Sequence, residues 1–343
     1  MRIAIVNDLL LAVEALCRVL RRRPNHTIAW IARDGAEAVR KCAQDRPDLI
    51  LMDLIMPVMN GAEASRLIMR DSPCPILVVT ATVDGNIGLV FEAMGYGALD
   101  AFNTPTVGPD AHTAGAEEFL RKIDLISHLI GPVPAAAPVL PPAPAPAPAR
   151  TTQPPLIALG ASTGGPAALV EILSRLPPTL PAPVLLIQHV DREFAADLAT
   201  WLARHCHLPV KVAAAGARPE RGVVWLAGTN DHLVLSPRGL LHYQPEPVDC
   251  FYRPSVDVCF KSLAQHWPAP GVAGLLTGMG RDGAQGLREL RQRGWRTIAQ
   301  DHASSVVYGM PRAAAELQAA ERVLPLNRIA DALLQAIGVS PHY

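Results

Sequence analysis

The stretch LIALGASTGGP, Leu156 to Pro166, sets the architecture of the larger half of this chain. Leu156 to Leu159 are four consecutive apolar residues, the pattern of a buried strand. Beyond Pro166, Ala168, Leu169, Ile172, Leu173 and Leu176 recur at helical spacing. Ser162 and Thr163 therefore fall on a strand-to-helix turn. Gly160, Ser162 and Gly164 have the G-x-S-x-G spacing of a nucleophile elbow, where glycines permit a sharp turn and a close approach to the hydroxyl. The helix start adds unpaired N–H groups that can receive a developing oxyanion. A phosphate or dinucleotide cradle and a plain tight turn share this pattern, so the turn alone leaves all three readings open.

Further along, the apolar run Val184 to Gln188 ends in Gln188-His189-Val190. Val272 to Leu276 is another buried strand, followed by Thr277-Gly278-Met279-Gly280-Arg281-Asp282-Gly283 and a helix beginning near Ala284. If these strands are parallel, their ends present Ser162, His189 and Asp282 on one edge: a nucleophile, a base and a carboxylate to orient the base. The chain order Ser…His…Asp differs from that of the α/β-hydrolases, so the elbow does not assign that fold. A dinucleotide site would want an acidic residue ending the second strand; Gln188 and His189 stand there, with Asp191 just beyond. His205 and His207 lack a third ligand of fitting spacing and read as the exposed end of a helix over Phe194 to Arg204.

Upstream, residues 1 to 130 alternate short apolar runs with helical patterns. The pairs are Ile3–Val6 and Leu9–Leu20, Ile28–Ala32 and Ala36–Cys42, Leu49–Met52 and Ala62–Met69, Ile76–Val79 and Ile87–Met94, Ala98–Phe102 and Glu117–Ile130. Five strand–helix units predict a parallel, doubly wound sheet that binds ligands at the carboxyl ends of its strands. Asn7 and Asp8 lie at the end of the first strand, Asp53 of the third and Thr80 of the fourth. Two converging carboxylates repel unless a cation lies between them, and a pair of oxygen ligands suits Mg²⁺, which keeps waters and can hold a phosphoryl group.

Between the halves, 131–155 holds ten prolines in 25 residues, with PAPAPAPA at its centre, and reads as a semi-rigid spacer. The expected division is thus a first domain over 1–130, a Pro/Ala linker over 131–155 and a second domain over 156–343. Lys plus Arg equals Asp plus Glu at 31 each, so no overall charge favours nucleic acid or an anionic membrane. The second domain is too long and strand-rich for a helix-turn-helix module. Six scattered cysteines without a C-x-x-C pair point to reduced thiols in a cytoplasmic protein. MRIAIVND meets an acidic residue by position 8, before any signal-peptide apolar region, and no apolar run is long enough for membrane insertion.

LMDLIMPVMNG around Asp53, with VVTA at Thr80, resembles the phosphoacceptor region of response-regulator receiver domains. The resemblance implies a flavodoxin-like (βα)5 fold, Asp53 as the phosphorylated carboxylate, Asp8 and Asp53 as Mg²⁺ ligands, and Thr80 as the hydroxyl that binds the phosphoryl oxygen. Receivers usually carry an acidic pair where Asn7-Asp8 stands, Lys-Pro where Thr104-Pro105 stands, and a switch aromatic where Ala101 stands. Neighbouring Phe102 faces the other way by strand alternation. GASTGG, QHV and LLTGMGRDGAQG, with YRPSVDV at 252–258 and TIAQD…VVYGMP at 297–311, resemble the catalytic domain of CheB-type protein-glutamate methylesterases. That resemblance implies a doubly wound, mainly parallel α/β domain with Ser162 as nucleophile, His189 as general base and Asp282 as its orienting partner. The Met279 N–H would be an oxyanion donor, with Thr163 beside it. It implies phosphorylation-regulated hydrolysis of glutamate methyl esters on methyl-accepting chemoreceptors, with glutamine deamidation by the same chemistry and a histidine kinase as phosphodonor. Asn7-Asp8, Asn103-Thr104-Pro105 and GTNDH at 228–232 are similar to the WspF branch, which serves a surface-sensing pathway. A non-catalytic receiver scaffold that collects phosphoryl groups is the alternative.

Overall fold

A computed structural model describes residues 1–80, 87–107, 113–130 and 154–340. The chain divides into two compact units, Met1–Ala135 and Ala136–Tyr343. Nearly all of the Pro/Ala linker lies outside the described residues.

The first unit runs β1 (Arg2–Val6), α1 (Leu10–Leu20), β2 (Thr27–Ala32), α2 (Gly35–Gln44), β3 (Leu49–Met52), α3 (Gly61–Asp71), β4 (Ile76–Thr80), α4 (Ile87–Gly95), β5 (Asp100–Asn103), β6 (Thr106–Val107), β7 (Thr113–Ala114) and α5 (Ala116–Ile130). Strands β1 to β5 form one parallel sheet in the order β2-β1-β3-β4-β5, the flavodoxin-like order. Every residue of β3 and β4 is buried, as expected of strands covered by helices on both faces. Asp34 and Asn60 cap α2 and α3 by accepting the N–H of Glu37 and Glu63. The fifth strand begins at Asp100 rather than Ala98, because the Ala98 N–H still closes the end of α4 on the Ala93 carbonyl. The short antiparallel pair β6–β7 carries no apolar period that would announce it.

The second unit runs β8 (Ile157–Ala161), α6 (Gly165–Leu173), β9 (Val184–Gln188), α7 (Arg192–Ala203), β10 (Val210–Val212), β11 (Val224–Leu226), β12 (His232–Leu235), β13 (Leu241–Gln244), α8 (Val256–His266), β14 (Val272–Leu275), α9 (Ala284–Gln292), β15 (Arg296–Gln300), α10 (Met310–Glu316), β16 (Arg322–Leu324) and α11 (Leu326–Ala336). Seven strands form a wholly parallel sheet in the order β10-β11-β9-β8-β14-β15-β16. From β8 the chain moves outward to β9 and the edge strand β10, fills the place between them with β11, then returns to lay β14 against the other side of β8. The loops after β8 and β14 leave the carboxyl edge side by side, joined by the Ser162 N–H on the Thr277 carbonyl, at the switch point where sheets of this kind bind ligands. The antiparallel pair β12–β13 stands outside the sheet and packs on α8, with Leu233, Leu235 and Leu241 in the same core cluster as Phe260 and Leu263.

Candidate active site

Strand β8 continues through Gly160 and Ala161, so Ser162 is the first residue past its end. Each glycine of the elbow has a separate cause. A Cβ on Gly160 would come within 2.3 Å of Val256, so its absence lets the start of α8 approach the strand. Gly164 adopts φ +77°, the left-handed region that β-carbons disfavour. The turn is held by backbone atoms of Ser162: its N–H donates to the Thr277 carbonyl at 3.0 Å, and its carbonyl accepts from Gly165 N–H and, at 2.8 Å, from the fully buried Gln188 amide.

His189 comes directly after β9, and its own N–H donates to the Ala161 carbonyl at 3.0 Å, which sets it beside the serine turn. Its Nε2 lies 2.8 Å from Asp282 Oδ2, with 10% and 4% of the two side chains exposed. The other ring nitrogen, Nδ1, is buried and has no partner among the described residues. The ring thus presents to the carboxylate the nitrogen farther from its own backbone, and Nδ1 is the atom left to accept a proton. Ser162 Oγ and His189 share no hydrogen bond here; such contacts commonly tighten only when substrate is bound.

Asp282 is not at a strand end. It sits at the far end of the turn after β14 and reaches the N-terminus of α8, where Ser255 Oγ donates to Oδ1 at 2.7 Å, Val256 N–H to Oδ2 at 2.7 Å and Asp257 N–H to Oδ1 at 3.0 Å. Burial alone would push this carboxyl up; the His189 imidazole, the Ser255 hydroxyl and the Asp257 N–H outweigh it and hold it below the usual carboxylate range. The cost is passed on to Asp257, which burial and the neighbouring Asp282 push up to about 6.

The Ser162 N–H is spent on Thr277, whereas among the described residues no backbone bond occupies the N–H of Thr163 or Met279. Thr163 is buried, and its carbonyl accepts from Thr277 Oγ1 at 2.8 Å. Gly278 closes this side: a Cβ there would stand 2.7 Å from the Ser162 Cβ.

Residues that spacing did not single out complete the site. Tyr252 lies flat on His189, ring centroids 4.3 Å apart and planes 12° from parallel. Arg253 clamps the same loop, donating to the Asn230 carbonyl and the Asp231 carboxylate at 2.8 Å each. Fully buried His232 accepts the Ser255 N–H on Nδ1 at 3.1 Å. Within YRPSVDV the only local signal is Ser255 ahead of a helical period, an N-cap that also accepts from Val258 N–H.

In the first unit, Asp53 is buried and Asp8 partly so. Asp53 Oδ1 accepts the Leu54 N–H at 2.7 Å, and Oδ2 accepts the Asn7 amide at 2.9 Å. Burial pushes the Asp53 carboxyl up and Asp8 adds to this, against the Leu54 and Ile55 N–H groups and the Thr80 hydroxyl. Thr104 lies just past β5, with its N–H on the Thr80 carbonyl at 3.0 Å and its hydroxyl oxygen buried and without a partner among the described residues. Ala101 is fully buried, and Phe102 packs on Phe119 with centroids 5.3 Å apart. The Lys122 ammonium is tied to Asp100 at 2.7 Å and to the Ala101 carbonyl at 3.2 Å. No helix among the described residues is long and apolar enough to cross a membrane.

Residues 157–333 match the CheB methylesterase family, and residues 3–114 match the response regulator receiver domain. Over 333 residues the chain is 54% identical to protein-glutamate methylesterase/protein-glutamine glutaminase 1 of Bordetella avium, covering 97% of this chain and 96% of that protein. It is 52% identical to protein-glutamate methylesterase/protein-glutamine glutaminase 3 of Pseudomonas aeruginosa, covering 98% and 99%. Among solved structures, the Thermotoga maritima CheB methylesterase catalytic domain superposes with a TM-score of 0.50 at 33% identity, covering 54% of this chain and 99% of that one. With a parallel sheet, a serine elbow and a receiver ahead of it accounted for in one chain, this protein belongs to the CheB methylesterase family.

Proposed function

We propose that this chain hydrolyses γ-glutamyl methyl esters on a methyl-accepting chemoreceptor, giving glutamate and methanol, with Ser162 as nucleophile, His189 as general base and Asp282 as the carboxylate that orients it. The supporting observation is the His189 ring, anchored to Asp282 through Nε2 with Nδ1 buried and unpartnered beside the serine turn. Ser162 Oγ attacks the ester carbonyl carbon as its proton passes to Nδ1. The oxyanion is received by the N–H groups of Met279 and Thr163. Collapse breaks the ester C–O bond, and the departing methoxide takes the proton from the imidazolium to leave as methanol, giving an acyl-enzyme. Water, deprotonated by His189, then releases glutamate and restores Ser162. A glutamine side chain fits the same cycle with ammonia as leaving group.

Asp53 is proposed as the phosphorylation site, supplied by a histidine kinase. The oxygen-only pair Asp8 and Asp53 fits Mg²⁺, which when bound there would neutralise the converging carboxylates and the incoming phosphoryl group. Thr80 would bind a phosphoryl oxygen. Asn7 replaces a charge by an amide that already bonds Asp53. Asn7→Asp is expected to lower the Mg²⁺ concentration for half-maximal phosphorylation by acetyl phosphate about tenfold, the scale of one added charge near the cation; an unchanged midpoint would clear Asn7 of that effect.

The receiver is proposed to restrain the hydrolase until Asp53 is phosphorylated. With acetyl phosphate and Mg²⁺, full-length protein should release methanol faster, Asp53→Asn should not respond, and residues 151–343 alone should be active without a phosphodonor. Equal rates in all three would remove inhibition in cis. The proposed domain limits are 1–130, 131–155 and 156–343. Six free thiols fit a reducing compartment, the cytoplasm. The WspF branch is proposed from Asn7-Asp8, Asn103-Thr104-Pro105 and GTNDH, the last of which supplies Asn230, Asp231 and His232 to the loop that bears Tyr252.

A further inference from the structure

We propose that Tyr252 is a positioning residue of the hydrolytic cycle: its ring, stacked on His189, favours the imidazolium that forms when Ser162 loses its proton. This rests on the reading of His189 as general base. The two rings overlap face to face at 4.3 Å and 12°. The face of a phenol ring carries negative quadrupole and attracts a cation more than a neutral ring. In the cycle above His189 is neutral before attack and cationic after it. A contact stronger with the cation therefore stabilises the transition state more than the ground state.

Tyr252 is held for this from both ends. Its hydroxyl donates to the Met279 carbonyl at 3.2 Å, tying the ring to the residue proposed to bind the oxyanion. Burial and nearby Asp282 push the phenol up, so it remains a protonated donor throughout the working pH range. The adjacent Arg253 is fixed on Asn230 and Asp231, and Ser255 on His232 and Asp282. The other charged groups around the imidazole have partners of their own. Asp282 is on Nε2, with Asp257 behind it on the Gly286 N–H. Asp191, two positions along, accepts from Glu193 N–H and the Asn230 amide. Arg281 pairs with Glu316. The tyrosine face is thus a second contact on the ring, beside the Asp282 carboxylate, that favours its charged form.

The test uses the full-length chain and methyl-labelled receptor, with methanol release measured across pH. Tyr252→Leu keeps bulk but removes the π face. It should lower kcat by about 3- to 30-fold with KM little changed, and move the acid limb of the profile to lower pH by about 0.4 to 1.5 units, since a less favoured cation keeps the base neutral further into acid. Tyr252→Phe keeps the face and loses only the bond to Met279, so its limb should stay in place. Tyr252→Trp, a stronger face, should move the limb to higher pH. A slowed Tyr252→Leu with an unmoved limb would reduce Tyr252 to packing and overturn the proposal, as would a Tyr252→Leu rate equal to wild type. Should Tyr252→Leu fail to fold, an unmoved limb in Tyr252→Trp overturns it equally. No methanol from the wild-type protein would instead strike at the hydrolase reading itself.

Discussion

Ser162→Ala should release methanol from methyl-labelled receptor on the order of 10⁴- to 10⁶-fold more slowly than wild type, the scale on which serine hydrolases lose turnover with their nucleophile. The fold should not notice. Every hydrogen bond that holds the Ser162 turn uses its backbone: N–H to Thr277, carbonyl from Gly165 and Gln188. The Cβ that abuts Gly278 is retained in alanine. The thermal midpoint should therefore stay within a degree or two while turnover collapses. Release at the wild-type rate would take the nucleophile's role from Ser162, and an inactive wild type would favour the phosphoryl-collecting scaffold.

Asp282→Asn should cost about 10³- to 10⁴-fold in kcat and, unlike Ser162→Ala, should also lower stability. The carboxylate now accepts from His189, Ser255 Oγ, Val256 N–H and Asp257 N–H. An amide has one accepting oxygen, so its NH₂ must point at a donor. If it faces His189, the ring is driven to put its proton on Nδ1, the atom that must be free to take the serine proton. Either way an N–H of α8 loses its acceptor, Val256 on the His189 side or Asp257 on the other, at about 1–3 kcal/mol. Calorimetry beside the methanol assay reads both effects: lost turnover with a lowered melt is the expected result, and an unchanged melt would show that the N-terminus of α8 keeps its bonds and that the damage lies at the imidazole. Wild-type turnover in this variant would detach Asp282 from the mechanism.

Much of this arrangement is legible in residue order. Uninterrupted apolar runs such as Val184–Gln188 mark strands covered on both faces, and the residues just past each run must emerge at one edge of a parallel sheet. That places Ser162 and His189 together on sequence grounds alone. Asp282 is harder, because its site depends on α8, a helix 26 residues earlier whose N-terminus meets it through close packing of Val256 on Gly160 and Gly283. Spacing along the chain carries no trace of that approach. The use of Nε2 rather than Nδ1 for the carboxylate, and the flat contact of Tyr252, are set by side-chain rotations that local sequence leaves free. In the first unit the strand-end residues stand out, but the Asn7–Asp53 bond does not: an amide ahead of an aspartate reads as a missing charge, not as a donor aimed at Asp53.

The position of β8 between β9 and β14 has a consequence for how the protein comes to life on the ribosome. The serine emerges early, yet its N–H partner Thr277 and the carboxylate behind its base arrive more than a hundred residues later. Parallel pairings that close such long loops form slowly and only once both strands exist. A nascent or truncated chain ending before β14 would hold a serine turn without Thr277, Met279 or Asp282. Hydrolysis is then a property of the finished sheet, and a partly made chain is harmless to methylated receptors.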